Sequence, residues 1–436
     1  MSSVLLIDFS RFFMPTYRLH VTLNAPLAVS GSRDTAGRSS IPDVVPPRTL
    51  RGALAAQVQR HGADKEVMNA LFGPEGCRTT ALMPSSPVRD ASTTVTPVPL
   101  TLRTCKYKSG FQHEGKHGVE DVLFAALHLA VHDDSQALAS LGGCSYSGCQ
   151  HVLKAAGGFI THAEADTSGD VTWQTQGKLS TRTQAHVGLN RRRKGAESGV
   201  LYARQVISEQ QAVERDSGDT ELCPTVMQAD ITASKDEMKV LQQALAKQAT
   251  LRIGTARSRG LGNCTVKRFG ACPSLPPLSD RIDTFNKAWN ASCEHYGHTS
   301  PADSTLISLT LDTPALFVDA FLRPNLAPEG QDLLQEAYSH ETEHAQALRN
   351  LRAVHQIARP TTVQGWNGLA RFPHAAMQGL QAGSILVFEA PEVTDELRAA
   401  LSHLEAQGTG LQRHFGMGRI RVCDPIHAHV HEHTQQ

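Results

Sequence analysis

The chain has 436 residues, 40% of them apolar, with 42 basic and 42 acidic side chains and only 5% aromatics. That length exceeds one ordinary core and predicts two to three domains, and the apolar content excludes wholesale disorder. The balanced charge excludes a surface that is basic throughout, so any nucleic-acid contact has to come from local clusters, and the low aromatic content leaves few platforms for stacking bases.

In chain order, residues 1–15 read as an extension outside the fold. Val4–Ile7 is apolar, but Asp8 follows at once, with no basic flank or small-residue cleavage site of a signal peptide. No segment approaches the ~18–20 uninterrupted apolar residues of a membrane span, and the cytoplasm of a prokaryotic cell is the expected location. A first strand is predicted from Tyr17, where Arg18–Leu23 alternates across a pleat. Ser30–Ser40, which contains Asp34, is a polar loop without periodicity. Pro42, Pro46 and Pro47 hold the chain extended, and Thr49 is placed to cap a helix from Leu50 to about Gln59. Arg48 and Arg51 flank that helix start, where free N–H groups and the dipole already favour an anion.

Residues 84–120, rich in Pro, Ser, Thr and Gly, read as an irregular excursion, followed by a buried helix over Val122–Val131. Ser140–Gly158 is a Gly/Cys-rich insert. There Cys144 and Cys149 stand at C-x4-C spacing, with His151 just beyond and Cys105 upstream in a stretch that also holds His113 and His117. Cys105, Cys144, Cys149 and His151 could complete a tetrahedral structural zinc site that pins a coreless insert; the alternative is unpaired thiols in a reducing cytosol. Nine cysteines, mostly scattered and odd in number, do not form a secreted disulfide framework, and Cys77, Cys223, Cys264, Cys272, Cys293 and Cys423 read as structural. Arg191, Arg192, Arg193 and Lys194 are the densest basic run. They read either as a solvated charged stretch or as a sequence-blind phosphate contact.

Thr225–Thr232 then reads as a strand and Ser234–Lys247 as a helix, with a capping box at Ser234 and Glu237 and with Met238, Leu241 and Leu245 on one face. A loop follows, Gly254–Gly262, that carries Arg257, Ser258, Arg259 and Gly260 and leads into a strand at Cys264–Phe269. A domain boundary is expected within 273–303, around a short helical stretch at Phe285–Ser292. Beyond it come a strand at Thr305–Leu311 and a helix at Gly330–Tyr338. The earlier arrangement then repeats: strand Ser384–Glu389, helix Thr394–Gln407 ended by Gly408, loop Gly410–Gly418 with Arg413, His414 and Gly416, and strand Arg419–Val422. Such loops let a backbone approach a phosphate chain while guanidinium groups neutralise it, although a tight hairpin with solvated arginines would use the same glycines. Trp366, after a glycine in an apolar segment, reads as a core or interface anchor rather than a base stacker. The His-rich end from His427 to His433 reads as a solvated tail able to take stray metal.

Taken together these segments resemble the RAMP superfamily of CRISPR-associated proteins. Ile41-Pro42 with Thr49–Leu54 is similar to that family's helix start, although Asp43–Val45 replaces its usual Gly-Ser-Ser, and Leu71–Gly73 is similar to its Leu-Phe-Gly turn. Pro97–Leu100 with Arg103–Lys106, His186–Tyr202, and Val363–Asn367 continuing to Gly383–Phe388 resemble the double-domain RAMP subunit of type III-D effectors. The resemblance implies an α+β fold of two ferredoxin-like (RRM-like) domains with glycine-rich loops and a Cys-containing insert. It places the N-terminal domain at 16–272 with its insert at about 84–220, the C-terminal domain at 304–425, and flexible ends at 1–15 and 426–436. It implies a non-enzymatic, RNA-binding subunit in antiviral defence that grips the 5′ repeat handle of a crRNA beside a large polymerase-like subunit and RAMP backbone subunits. The phosphate-holding residues would be Arg48, Arg51, Gly254, Arg257, Ser258, Arg259, Gly260, Gly262, Arg413, Gly416, Gly418 and Arg419, with Arg191–Arg193. RAMP relatives also include ribonucleases, so the rival expectation is an endoribonuclease that matures guide RNA or cuts target RNA, drawing on Asp34, His186 or His414.

Overall fold

The computed structural model describes residues 14–29, 43–85, 93–111, 115–134, 142–149, 151–163, 172–176, 179–190, 192–214, 220–273, 275–299, 304–335, 343–367 and 372–434. Asp34, Ile41, Pro42, His113 and Arg191 lie outside the described residues. The chain divides into two units: residues 14–95 with 176–272, and residues 96–175 with 273–436. The segment expected within the N-terminal insert is therefore shared out, with 96–175 belonging to the second unit.

In the first unit the central strand is Thr16–Leu23. It pairs antiparallel with Val226–Thr232 on one side and Asn263–Ala271 on the other. The short strands Arg78–Thr79 and Met83–Ser85 lie outside Val226–Thr232. Counted by occurrence, and leaving aside the small Thr250–Arg252 strand on one edge, the sheet runs fourth, first, third, second. Strand alternation puts Leu19, Val21, Met227, Ala229, Ile231 and Val266 into one core with Leu50, Leu54 and Val58 of helix Pro47–Arg60 and Met238 and Leu241 of helix Lys235–Ala244. The second of these helices starts on the expected capping box, with Ser234 and Glu237 each accepting the other's backbone N–H. The first does not start at Thr49. Pro47, with its missing N–H and preset φ, takes the first helical position, and Thr49 falls inside the first turn.

The second unit repeats the plan. Thr305–Leu311 lies between Ile385–Ala390 and Ile420–Val422, with Arg352–Ile357 outside Ile385–Ala390, again fourth, first, third, second. Helix Asp395–Gln407, capped by Thr394, contributes Leu397, Leu401 and Leu404 to a core with Ile307, Leu309, Leu311 and Phe388. Phe285 and Trp289 of helix Leu278–Tyr296 join the same core together with Phe124 of helix Leu123–His132. Two sequence expectations change here and a third is narrowed. Of the helix expected over Gly330–Tyr338, the described part holds a 3-10 turn, Gly330–Leu334, and 336–338 lie outside the described residues. The expected tail is a helix, Pro425–Thr434, because Ile426, His427 and Val430 are buried, with Ile426 and Val430 in a small cluster with Val98, Leu102 and Ile160. Trp366, expected as a core or interface anchor, is 60% exposed and so is not a core residue of this chain; among the described residues its short strand pairs with Phe372–Pro373, where Phe372 is exposed as well. No helix of the described residues is long and apolar enough to cross a membrane.

Candidate functional site

The two glycine loops are superimposable in their bonding. In the first, Ile253 N donates to Gly262 O, Thr255 N to Ala28 O and Gly262 N to Pro26 O, each at 2.8 Å. In the second, Thr409 N donates to Gly418 O, Leu411 N to Leu316 O and Gly418 N to Pro314 O, also each at 2.8 Å. Both contain one 3-10 turn, Arg257–Arg259 or Arg413–Phe415, entered through a left-handed residue, Ala256 or Gln412, and left through a left-handed glycine, Gly260 or Gly416. Each loop is thereby stitched to the segment that follows its unit's central strand. Three hydrogen bonds and two left-handed residues thus recur at matching places in the two units.

What the loops present differs. Arg257, Ser258, Arg259 and Gly260 are all exposed. Arg259 donates to the Tyr202 hydroxyl, and the Tyr202 ring stacks on His186 with centroids 5.1 Å apart. Tyr202 and His186 face each other across a hairpin formed by Thr181–Asn190 and Gly195–Ile207. No residue of Thr181–Asn190 is buried, whereas Val206 and Ile207 at the base are. At its tip, Arg192 N and Arg193 N donate to Asn190 Oδ1 at 3.0 and 3.1 Å, which closes the turn and leaves both arginine side chains in solvent. The exposed glycine loop, an aromatic pair and a basic tip thus belong to one unit and are joined through Arg259.

In the second loop Arg413 is buried, and Arg419 donates to Ala406 O at 3.3 Å near the end of helix Asp395–Gln407. These arginines serve the unit's own packing. His414, named as a catalytic candidate, is half-buried with its ring against Phe415. Arg51 is likewise structural: its guanidinium donates to Cys77 O at 2.5 Å and Gly73 O at 3.0 Å and lies over Phe72, so it secures the end of helix Lys65–Phe72. Burial lowers its pKa, and that of half-buried Arg48.

A Cys/His cluster forms in the second unit, but with a different fourth member from the one expected. The Sγ atoms of Cys105, Cys144 and Cys149 and a ring nitrogen of His117 all lie within 4.8 Å of one another. His151 turns away and packs its ring against Tyr107, 4.5 Å between centroids. Its main chain serves instead, with His151 O accepting from Cys144 N. Sequence spacing alone offered no way to rank His117 above His151, since both lie in irregular chain. Burial pushes the Cys144 thiol up to about 11; at Cys105 burial is outweighed by hydrogen bonds from the Lys108 and Tyr107 backbone, which hold the thiol below its ordinary value. A second group, His128, His132 and Cys293, also brings three ligand atoms within 4.8 Å, and burial followed by repulsion from His132 and His298 lowers His128 to about 4. Either cluster could hold a metal ion.

No protein-family model matches the chain, and no curated protein sequence matches it. Among solved structures it is similar to a chain of a type III-B Cmr-beta complex bound to cognate target RNA and AMPPnP, at 8% identity and a TM-score of 0.38, covering 88% of this chain and 92% of that one. It is also similar to Cas6 of Thermus thermophilus (8% identity, TM-score 0.32, 94% and 98% covered) and to a RAMP protein that binds different RNA substrates (9%, 0.33, 94% and 99%). Likenesses this distant leave the family of this chain open.

Proposed function

We propose that the chain is an RNA-binding protein of the RAMP class, built from two ferredoxin-like domains. More particularly, it is the structural subunit of a type III CRISPR effector, of the III-D kind, that grips the 5′ repeat handle of a crRNA in antiviral defence. The observation that carries this reading is the duplicated glycine loop, in which two sheets of the same strand order hold one backbone turn at the same place, with the first copy presenting Arg257 and Arg259 to solvent. Those guanidinium groups would neutralise phosphates, Tyr202 and His186 offer faces to unstacked bases, and Arg192 and Arg193 extend the basic track. The family motifs quoted from the sequence supply the assignment to an effector and to its partners, a polymerase-like subunit and RAMP backbone subunits. The second loop takes a structural part, since its arginines point into their own unit.

The test is filter binding and gel analysis of the full chain with a labelled repeat-spacer RNA across a salt series. The reading expects retention without cleavage, weakened by salt, and a log–log salt slope that falls by about 1.4 when Arg257 and Arg259 are both changed to alanine, from ~0.7 per lost single-strand phosphate contact. Cleavage by the chain alone that vanishes in His186 or His414 variants would replace this reading by the endoribonuclease. Salt-insensitive retention, or none at any salt, would overturn the loop as an RNA contact.

A further inference from the structure

We propose that Cys105, His117, Cys144 and Cys149 bind one Zn2+ as a tetrahedral Cys3His site that builds the insert of the second unit. The four donors come from three separate stretches of chain, yet Cys144 Sγ lies 3.5 Å from His117 Nδ1 and Cys105 Sγ 3.9 Å from Cys149 Sγ. Thiolate and imidazole ligands at zinc–ligand distances of about 2.3 and 2.0 Å stand roughly 3.5–3.8 Å apart in a tetrahedron. These two pairs already stand near that spacing, and all four donors lie within 4.8 Å of one another. All nine cysteines of the chain are free thiols, so no disulfide competes for these three.

The surroundings are built for the cluster. The Tyr146 ring stacks flat on His117, with centroids 4.1 Å apart and 9° between planes, and fixes the imidazole with Nδ1 towards the thiols. Backbone bonds position each ligand-bearing segment: Lys106 N to Val152 O, His117 N to Lys108 O, Cys149 N to Tyr146 O and Cys144 N to His151 O. Among the described residues, the apolar packing near these segments is a cluster of six buried residues with two more beside it, and none of the four donors belongs to the main core of the unit. A metal supplies the cross-link that side-chain burial does not. The ligand set is closed, with four protein donors and no position for water, which is the pattern of a structural ion.

The experiment is metal analysis of the untagged full chain after zinc loading and desalting, paired with absorption of the cobalt-substituted protein. One equivalent of zinc is expected, together with strong thiolate-to-cobalt charge-transfer absorption. His117→Ala and Cys144→Ser lose the ion, while His151→Ala and a His431→Ala/His433→Ala double variant keep it. Because a ligand variant may fail to fold, the cobalt spectrum of the unaltered chain stands as an independent readout: weak absorption of a one-thiolate or all-imidazole site would place the metal elsewhere and overturn the proposal. So would a chain that binds no zinc, a Cys105–Cys149 disulfide found under reducing purification, or loss of the ion in His151→Ala with retention in His117→Ala.

Discussion

Gly262 and Gly418 close the same turn in two units. A Cβ on Gly262 would stand 1.9 Å from Ile253 O, and one on Gly418 would stand 1.8 Å from Thr409 O, with both glycines at positive φ. The clash is with backbone that is itself hydrogen-bonded across the loop, so nothing can swing aside. Gly260 also has positive φ, but open space surrounds its missing side chain. Gly262→Ala and Gly418→Ala are therefore expected to cost about 3 kcal/mol or more each, strain plus overpacking, against about 1 kcal/mol for Gly260→Ala. Calorimetry of the full chain checks this. Equal small costs at all three positions would mean that the loops are not held as described.

Arg51 tests the division between the buried arginines and those proposed to meet RNA. Its alanine variant leaves the buried Cys77 carbonyl without its side-chain donor, while Gly73 O keeps the Gly76 N–H at 3.3 Å, and the loss costs about 2 kcal/mol. RNA retention per folded molecule, and its salt slope, should not change. A reduced slope in Arg51→Ala with stability intact would return this residue to the phosphate track.

Tyr202→Phe tests whether the hairpin prepares Arg259. The ring and its stack on His186 survive, and only the hydroxyl that accepts from Arg259 is lost. Freeing an exposed arginine costs up to about 1 kcal/mol on binding, so repeat-RNA affinity should fall a few-fold with no change in salt slope. Tyr202→Ala, which also removes a stacking face, should lose about 1–3 kcal/mol. Identical affinities in all three proteins would remove the hairpin from the interface.

The elements whose logic is local were legible in the sequence: the capping box at Ser234, the leucine stripe of Asp395–Gln407, and both glycine loops. What was not legible depends on contacts between residues far apart in sequence. Nothing in the loop motifs says that Arg413 is buried and Arg257 exposed, because the difference lies in what packs over each loop. Arg51 reads as an anion ligand at a helix start until the Cys77 and Gly73 carbonyls are seen to meet it. Likewise His117 and His151 have equal standing in the sequence, and only the folded insert brings one imidazole to the thiols and turns the other to Tyr107. Trp366 shows the converse: a residue type that is usually buried lies open in this chain, on a short strand paired with Phe372–Pro373.

Helix Pro425–Thr434 is tied down by a buried ion pair, His427 Nδ1 to Asp121 Oδ2 at 2.5 Å, with His427 Nε2 3.1 Å from Thr310 Oγ1. Burial alone would push the His427 pKa down, but the charge and hydrogen bond of Asp121, helped by Asp424 and opposed by Arg421, raise it above its ordinary 6.5. The folded state thus holds this proton more tightly than the unfolded chain does. The pair's contribution is fully present below pH 6.5 and is lost as pH rises through the folded-state pKa, with a slope of up to about 1.4 kcal/mol per pH unit between the two. All three tryptophans, Trp173, Trp289 and Trp366, fall in the second unit, so their fluorescence in denaturant reports this unit. The expected result is a stability that declines from pH 6.5 towards alkaline pH. In His427→Gln, stability should be about 3 kcal/mol lower at pH 6.5 and should lack that decline, because Asp121 is left buried without its partner. A wild-type chain that gains stability over the same range, or a variant that keeps the slope, would mean that His427 is not held protonated by Asp121.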